Sequence, residues 1–172
     1  MKTEIEKLTA VDLINDKRRN LKKIIDLPCA FEAFQLSALH IEFLGKLLYR
    51  LNPIVTTSWE NDTKADVYFN KVVTELPSMQ KYNQNMLRDN LRNGMIHNEI
   101  PKANLCLTET ASQVINALQS TINIHAFFND FDTACNEVIA RLKQYEKDHP
   151  GALENDKKFP HLHITKTIKE RI

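Results

Sequence analysis

Arg92, Asn93 and His97 are the residues of this chain whose types and spacing suit chemistry. They sit in the run Arg88-Asp89-Asn90-Leu91-Arg92-Asn93-Gly94-Met95-Ile96-His97-Asn98-Glu99-Ile100-Pro101. A guanidinium matches the geometry of a phosphate and keeps its charge at any working pH. An imidazole can accept or give a proton near neutrality. An amide between them can orient either group. The set therefore suits attack at a phosphodiester, with His97 as acid/base, Arg92 holding phosphate and developing charge, and Asn93 orienting.

These side chains must be placed by a helix. At about 100° per residue, Leu87, Leu91, Gly94 and Met95 share one side and face a core, while Asp89, Arg92, Asn93, Ile96 and His97 fall on the other. Asn93 and His97 are four apart and share a stripe. Arg92 and His97 lie at opposite edges of the polar arc, so one straight helix aims them apart. They converge if the helix ends near Gly94 and turns His97 back, or if a two-fold partner lays the same face against this one. Pro101 favours an early end by disfavouring helical geometry at Ile100.

The segment Arg92-Asn93-Gly94-Met95-Ile96-His97 resembles the signature of the HEPN superfamily, an Arg followed by a polar residue and, after four to six positions, a His. The wider resemblance runs from about Phe31 to Leu142 as pattern. It implies a mainly α fold, an up-and-down bundle of about five helices with a small β-hairpin after the motif helix. Residues 1–150 form that single domain, and 151–172 form a polar tail that can add an edge strand over Leu162–Ile168. The resemblance also implies a metal-independent endoribonuclease without cofactor, built where two motifs meet in a homodimer. RNA supplies its own nucleophile, the 2′-hydroxyl. Arg88, Glu42 and Lys102 are the expected substrate contacts around Arg92, Asn93 and His97. The superfamily is tied to toxin–antitoxin and other defence systems, so an antitoxin or a nucleotidyltransferase is the implied partner. It also contains non-catalytic modules that bind RNA, a nucleotide or a protein. On that alternative, Arg92 pairs with Asp89 or Glu99 and His97 caps the helix.

The 172 residues suffice for one domain with a real core. A net charge of +1 does not announce a nucleic-acid binder. Lys17, Arg18, Arg19, Lys22 and Lys23 nevertheless crowd one segment, which reads first as a solvated helix face. Cys29, Cys106 and Cys135 are scattered and odd in number, matching neither a disulfide framework nor a zinc site and fitting reduced thiols in a cytoplasm. His161 and His163 lack a neighbouring carboxylate or thiol and make a weak metal pair. The start lacks the apolar stretch of a signal peptide, and no apolar run is long enough to span a bilayer.

Prolines at 28, 53, 77, 101 and 150 divide the chain into helix-length pieces. A first helix is expected from Thr9, capped through Asp12, to Asp26. A second, about Cys29 to Leu51, is apolar nearly all round and belongs at the centre. Gly45 within it predicts a close helix crossing. Glu42 on it either faces water or pairs with an arginine, and His40 reads as a satisfied structural residue. A third helix ends near Glu75, with Val67, Tyr68, Val72 and Leu76 inward. Pro77-Ser78 opens the motif helix. Asn104–Thr108 and Ile122–Ile124 alternate as strands, with 111–118 open between helix and strand. A last helix runs from about His125 to Lys147, with Phe128, Phe131, Cys135, Val138, Leu142 and Tyr145 as its stripe, and His149-Pro150-Gly151 stops it.

Overall fold

The first helical signal is kept at atomic level. In the computed structural model the Thr9 amide donates to Asp12 Oδ2 at 2.8 Å, and the Asp12 amide returns a bond to Thr9 Oγ1 at 3.4 Å. This reciprocal cap starts helix α1, Ala10–Ile25. The structure describes residues 2–25, 30–61, 64–98, 105–108 and 121–168. For 2–6, 30, 61, 96–98 and 163–168 it describes the backbone alone. Cys29, Glu99 and Lys102 lie outside the described residues, as does the 111–118 stretch.

The described chain is mainly helical. Helix α2 is Ala30–Arg50 and α3 is Ala65–Glu75. A 3₁₀ turn at Pro77–Met79 precedes the motif segment, Met86–Arg92, which continues directly into α4, Asn93–Asn98. Helix α5 is Ile124–Asp148, and the short α6 is Ala152–Asn155. As its apolar sequence requires, α2 lies at the centre, touching α1, α3, α5 and the motif segment. Phe34, Ile41, Leu44 and Leu47 on α2 are buried. So is Gly45. A Cβ at Gly45 would overlap the backbone carbonyl of Tyr68 and come 2.9 Å from its Cα, so α2 and α3 cross here at the closest approach that glycine permits.

Two details of the helical faces differ from the expectation. Val67 is 37% exposed, whereas Tyr68 and Val72 are buried as expected, with Phe69 beside them. On α5 the buried stripe begins with Ile124 and Phe127, while Phe128 is only half-buried. Asn123 caps α5 by accepting from the Ala126 amide at 2.9 Å, which starts the helix one residue before His125, and Phe127 is the ring that packs against Phe34 and Tyr82.

The expected β-hairpin is corrected. Strands β2, Cys106–Thr108, and β3, Thr121–Asn123, pair in parallel, in the register Cys106–Thr121, Leu107–Ile122 and Thr108–Asn123. Period-two alternation signals a strand and is silent on its direction. Parallel pairing needs a crossover of a dozen or more residues, and positions 109–120 supply that length. A second ribbon, unforeseen at its N-terminal half, joins β1, Lys2–Leu8, antiparallel to β4, Leu162–Ile168. Residues 151–168 are thus tied back to the rest of the described chain. Leu153 and Phe159 enter the core cluster, and Lys7 Nζ donates to the Glu154 carbonyl. Asp148 ends α5, and Gly151, at φ 81° in the left-handed region, stands at the start of α6. Its amide and that of Leu153 both donate to the Glu146 carboxylate.

His40 of α2 is 5% exposed and stacks on Phe131 with ring centroids 5.9 Å apart. Its Nδ1 has no hydrogen-bond partner among the described residues. Burial, and secondarily the Lys17 charge, push its pKa down to about 3 from 6.5. Between those values the unfolded chain holds a proton that the folded chain refuses, so stability is present above pH 6.5 and lost as pH falls toward 3. The full loss is on the order of a few kcal/mol. Denaturant melts of wild type and His40→Leu across this range should show the wild type losing stability faster on acidification; parallel curves would refute this role.

Candidate functional site

The motif straddles two helix types: Arg92 ends a π-helix, and Asn93–His97 lie on α4. Residues Met86–Arg92 form a π-helix, closed by the Asn93 amide bonding the Arg88 carbonyl five residues back. Such segments have poorer local stability than α-helix and concentrate at functional positions. Leu87, Leu91 and Met95 remain fully buried along it, matching the sequence reading of the core side. The widened turn changes how the polar residues spread. Arg88 turns toward α3 and Arg92 toward α2.

Arg92 Nε donates to Glu42 Oε2 at 3.0 Å, and Arg92 Nη1 donates to Asn93 Oδ1 at 2.9 Å. Asn93 Nδ2 in turn donates to Asp89 Oδ1 at 3.2 Å. Asp89 also faces Arg88 Nη1 at 3.1 Å, and Arg88 Nε is paired with Asp66 of α3. Five of these six residues were singled out from the sequence or belong to the motif run. Asp66 is the addition, and no local signal marks it. The chain Glu42–Arg92–Asn93–Asp89–Arg88–Asp66 is continuous and half-buried at its α2 end, where the Arg92 and Glu42 side chains are 25% and 24% exposed.

This resolves the alternatives for Glu42 and Arg92. Glu42 does not simply face water; among the described residues it, and not Asp89, is the carboxylate partner of Arg92. Arg88 sits against two carboxylates, which leaves Arg92 the better placed of the two for an incoming anion. The helix does not stop at Gly94. Gly94 is buried and α4 runs on to Asn98, so convergence by an early helix end is corrected. On the backbone His97 lies one α-turn beyond Asn93. Gln35 of α2 bonds the Met95 carbonyl at 3.4 Å, holding this turn against α2.

Tyr82, Cys135 and Arg50 play structural parts. Tyr82 donates to Asp130 Oδ2 at 2.6 Å; burial first, then this bond and the Asp130 charge, push its pKa far up. Burial likewise pushes the Cys135 thiol up, so it is not a nucleophile at neutral pH. Arg50 is fully buried and braces the 57–58 loop, donating to Thr57 Oγ1 at 3.1 Å and the Ser58 carbonyl at 2.8 Å.

No family model matches the chain, and neither a curated protein nor a solved structure matches it. Among the described residues, no helix is long and apolar enough to cross a membrane.

Proposed function

We propose that this protein is a HEPN-type, metal-independent endoribonuclease acting at the Arg92–Asn93–His97 motif of a homodimer. The observation that carries the reading is the anchoring of Arg92: Glu42 on the central helix holds Nε while Asn93 holds Nη1. A guanidinium fixed in this way, at a partly exposed position, keeps further N–H donors for a phosphate at little ordering cost. A π-helix that ends at Arg92 adds a second support.

In this reaction His97 accepts the proton of a ribose 2′-hydroxyl. The oxygen attacks phosphorus, Arg92 stabilises the added charge, and the P–O5′ bond breaks. The leaving 5′-oxygen takes its proton from a second imidazole, His97 of the other copy. Products are a 2′,3′-cyclic phosphate and a 5′-hydroxyl. A face for the second copy is suggested by Phe31 and Leu39, 36% and 42% exposed. They lie on the same stripe of α2 as Gln35 and Glu42, at spacings of four, four and three.

The test is cleavage of single-stranded or loop RNA in the presence of a chelator. A substrate with 2′-deoxy substitution at the cleaved position should be inert. Arg92→Lys should retain only part of the activity, because a point charge cannot both hold Glu42 and fork a phosphate. Cleavage of the deoxy substrate, or full activity in Arg92→Lys, would sink the mechanism.

One observation favours a second reading. Arg92 already has Glu42 and Asn93 as partners, as in a structural ion pair. On that reading the protein is a non-catalytic HEPN-like module for RNA, a nucleotide or a protein partner such as an antitoxin or nucleotidyltransferase. RNA binding without cleavage by the wild type would select it.

A further inference from the structure

Helix α1 carries a concentration of positive charge that the fold turns toward a groove. Arg18, Arg19, Lys22 and Lys23 face Phe128 and Asn129 of α5 across an open groove of about 670 Å³. Asp132 is the one carboxylate in that lining. The whole chain bears only +1, so this is a local excess and not a reflection of composition. Arg18/Lys22 and Arg19/Lys23 are like-charged pairs four apart, which repel along a helix. The C-terminal dipole of α1 favours Lys22 and Lys23 in its last turn but gives no reason for two arginines beside them.

The four cations are not equivalent. Arg18 is immobilised, with Nε and Nη2 each 2.7 Å from Asp132 Oδ1 and Nη1 donating to Asn136 at 2.9 Å. Arg19 pairs with Asp16 on its own helix and stays 65% exposed. Lys22 and Lys23 are exposed, and no described carboxylate pairs with either. An anchored arginine at the wall and exposed lysines at the rim suit a ligand with several spaced negative charges. Phe128 adds an apolar edge, and Asn129 a neutral hydrogen-bonding group beside it.

We propose that the α1–α5 groove binds the phosphate backbone of single-stranded RNA, with Lys22, Lys23 and Arg19 on successive phosphates. The choice of RNA over DNA rests on the function proposed above; the phosphate recognition does not. Neither wall of this groove contributes to the Arg92 network, so the groove anchors the strand away from the motif. A positive groove with an apolar edge and side-chain amides is how strands are held with little regard to sequence.

The experiment uses the full chain and a labelled single-stranded oligonucleotide, 2′-O-methylated so that it cannot be cut. Fluorescence anisotropy is read across a salt series for wild type, Lys22→Gln/Lys23→Gln and Lys22→Glu/Lys23→Glu. The glutamine pair guards against misfolding, since it adds no charge against the helix dipole. Affinity should fall about tenfold or more in the glutamate pair, and the salt slope should drop by about 1.4 in either pair, two released phosphate contacts. Unchanged affinity and slope, or no binding by wild type, would overturn the proposal. So would equal displacement of the oligonucleotide by polyglutamate of the same charge, which would make the groove an acidic-peptide site. Failure of the catalytic reading looks different: wild type would bind this probe through Lys22 and Lys23 yet leave ordinary RNA intact.

Discussion

His97→Ala should lower RNA cleavage by about 100- to 10,000-fold while leaving the fold intact, the range expected when one general acid/base is removed. The size follows from the proposed chemistry. With one histidine per copy serving at the shared site, the substitution takes both proton carriers from a symmetric dimer. Structure should survive because the core face of the motif is built by Leu87, Leu91 and Met95, all fully buried, while the spacing of position 97 puts it on the polar arc. Mixed dimers sharpen the experiment. Co-expressed wild-type and His97→Ala copies, purified as heterodimers, should be impaired, because one proton transfer loses its carrier. Full activity in the homodimeric variant would refute the assignment of His97. Full activity in the heterodimer would refute the shared site and leave each copy acting alone.

Gly45→Ala should destabilise the protein by about 3 kcal/mol or more, at the upper end of overpacking effects. In an exposed helix the same change would stabilise, since alanine is the better helix former by roughly 1 kcal/mol. Here the added methyl meets the carbonyl of Tyr68, and backbone cannot rotate aside as a side chain can. Relief requires α2 and α3 to separate, which strips contacts from Leu44, Leu48, Phe69 and Val72 on the two helices. For a chain of this size the thermal midpoint should drop by roughly 6–12 °C. Calorimetry or a circular dichroism melt would measure it. An unchanged midpoint would mean that the helices cross less tightly than the structure has them. The same separation would move Glu42, three residues from Gly45 on α2, and with it the anchor of Arg92.

Local grammar in the amino-acid sequence determined the helices. Thr9 and Asp12 announced the start of α1, and Pro150-Gly151 announced the stop of α5, because caps and breakers act within a turn of themselves. Leu87, Leu91 and Met95 declared the buried side of the motif by spacing alone, and Gly45 declared a close crossing because nothing else excuses a glycine in mid-helix. Only the tertiary structure decided who meets whom. Glu42 and Arg92 are 50 residues apart, and no pattern along the chain chooses Glu42 over Asp89 as partner. Alternation revealed the strands near 106 and 122 but not that they run parallel, since a period of two is the same in either direction. Strand β1 escaped notice because its pairing partner, β4, lies at the other end of the chain. The π-helix at Met86–Arg92 has no sequence signature of its own, nor do the pairs it carries, Arg88 with Asp66 of α3 and Arg92 with Glu42 of α2. The basic run of α1 was visible from the first, but a groove needs a second wall. That wall is α5, more than a hundred residues away, brought opposite by burial of the apolar faces of both helices.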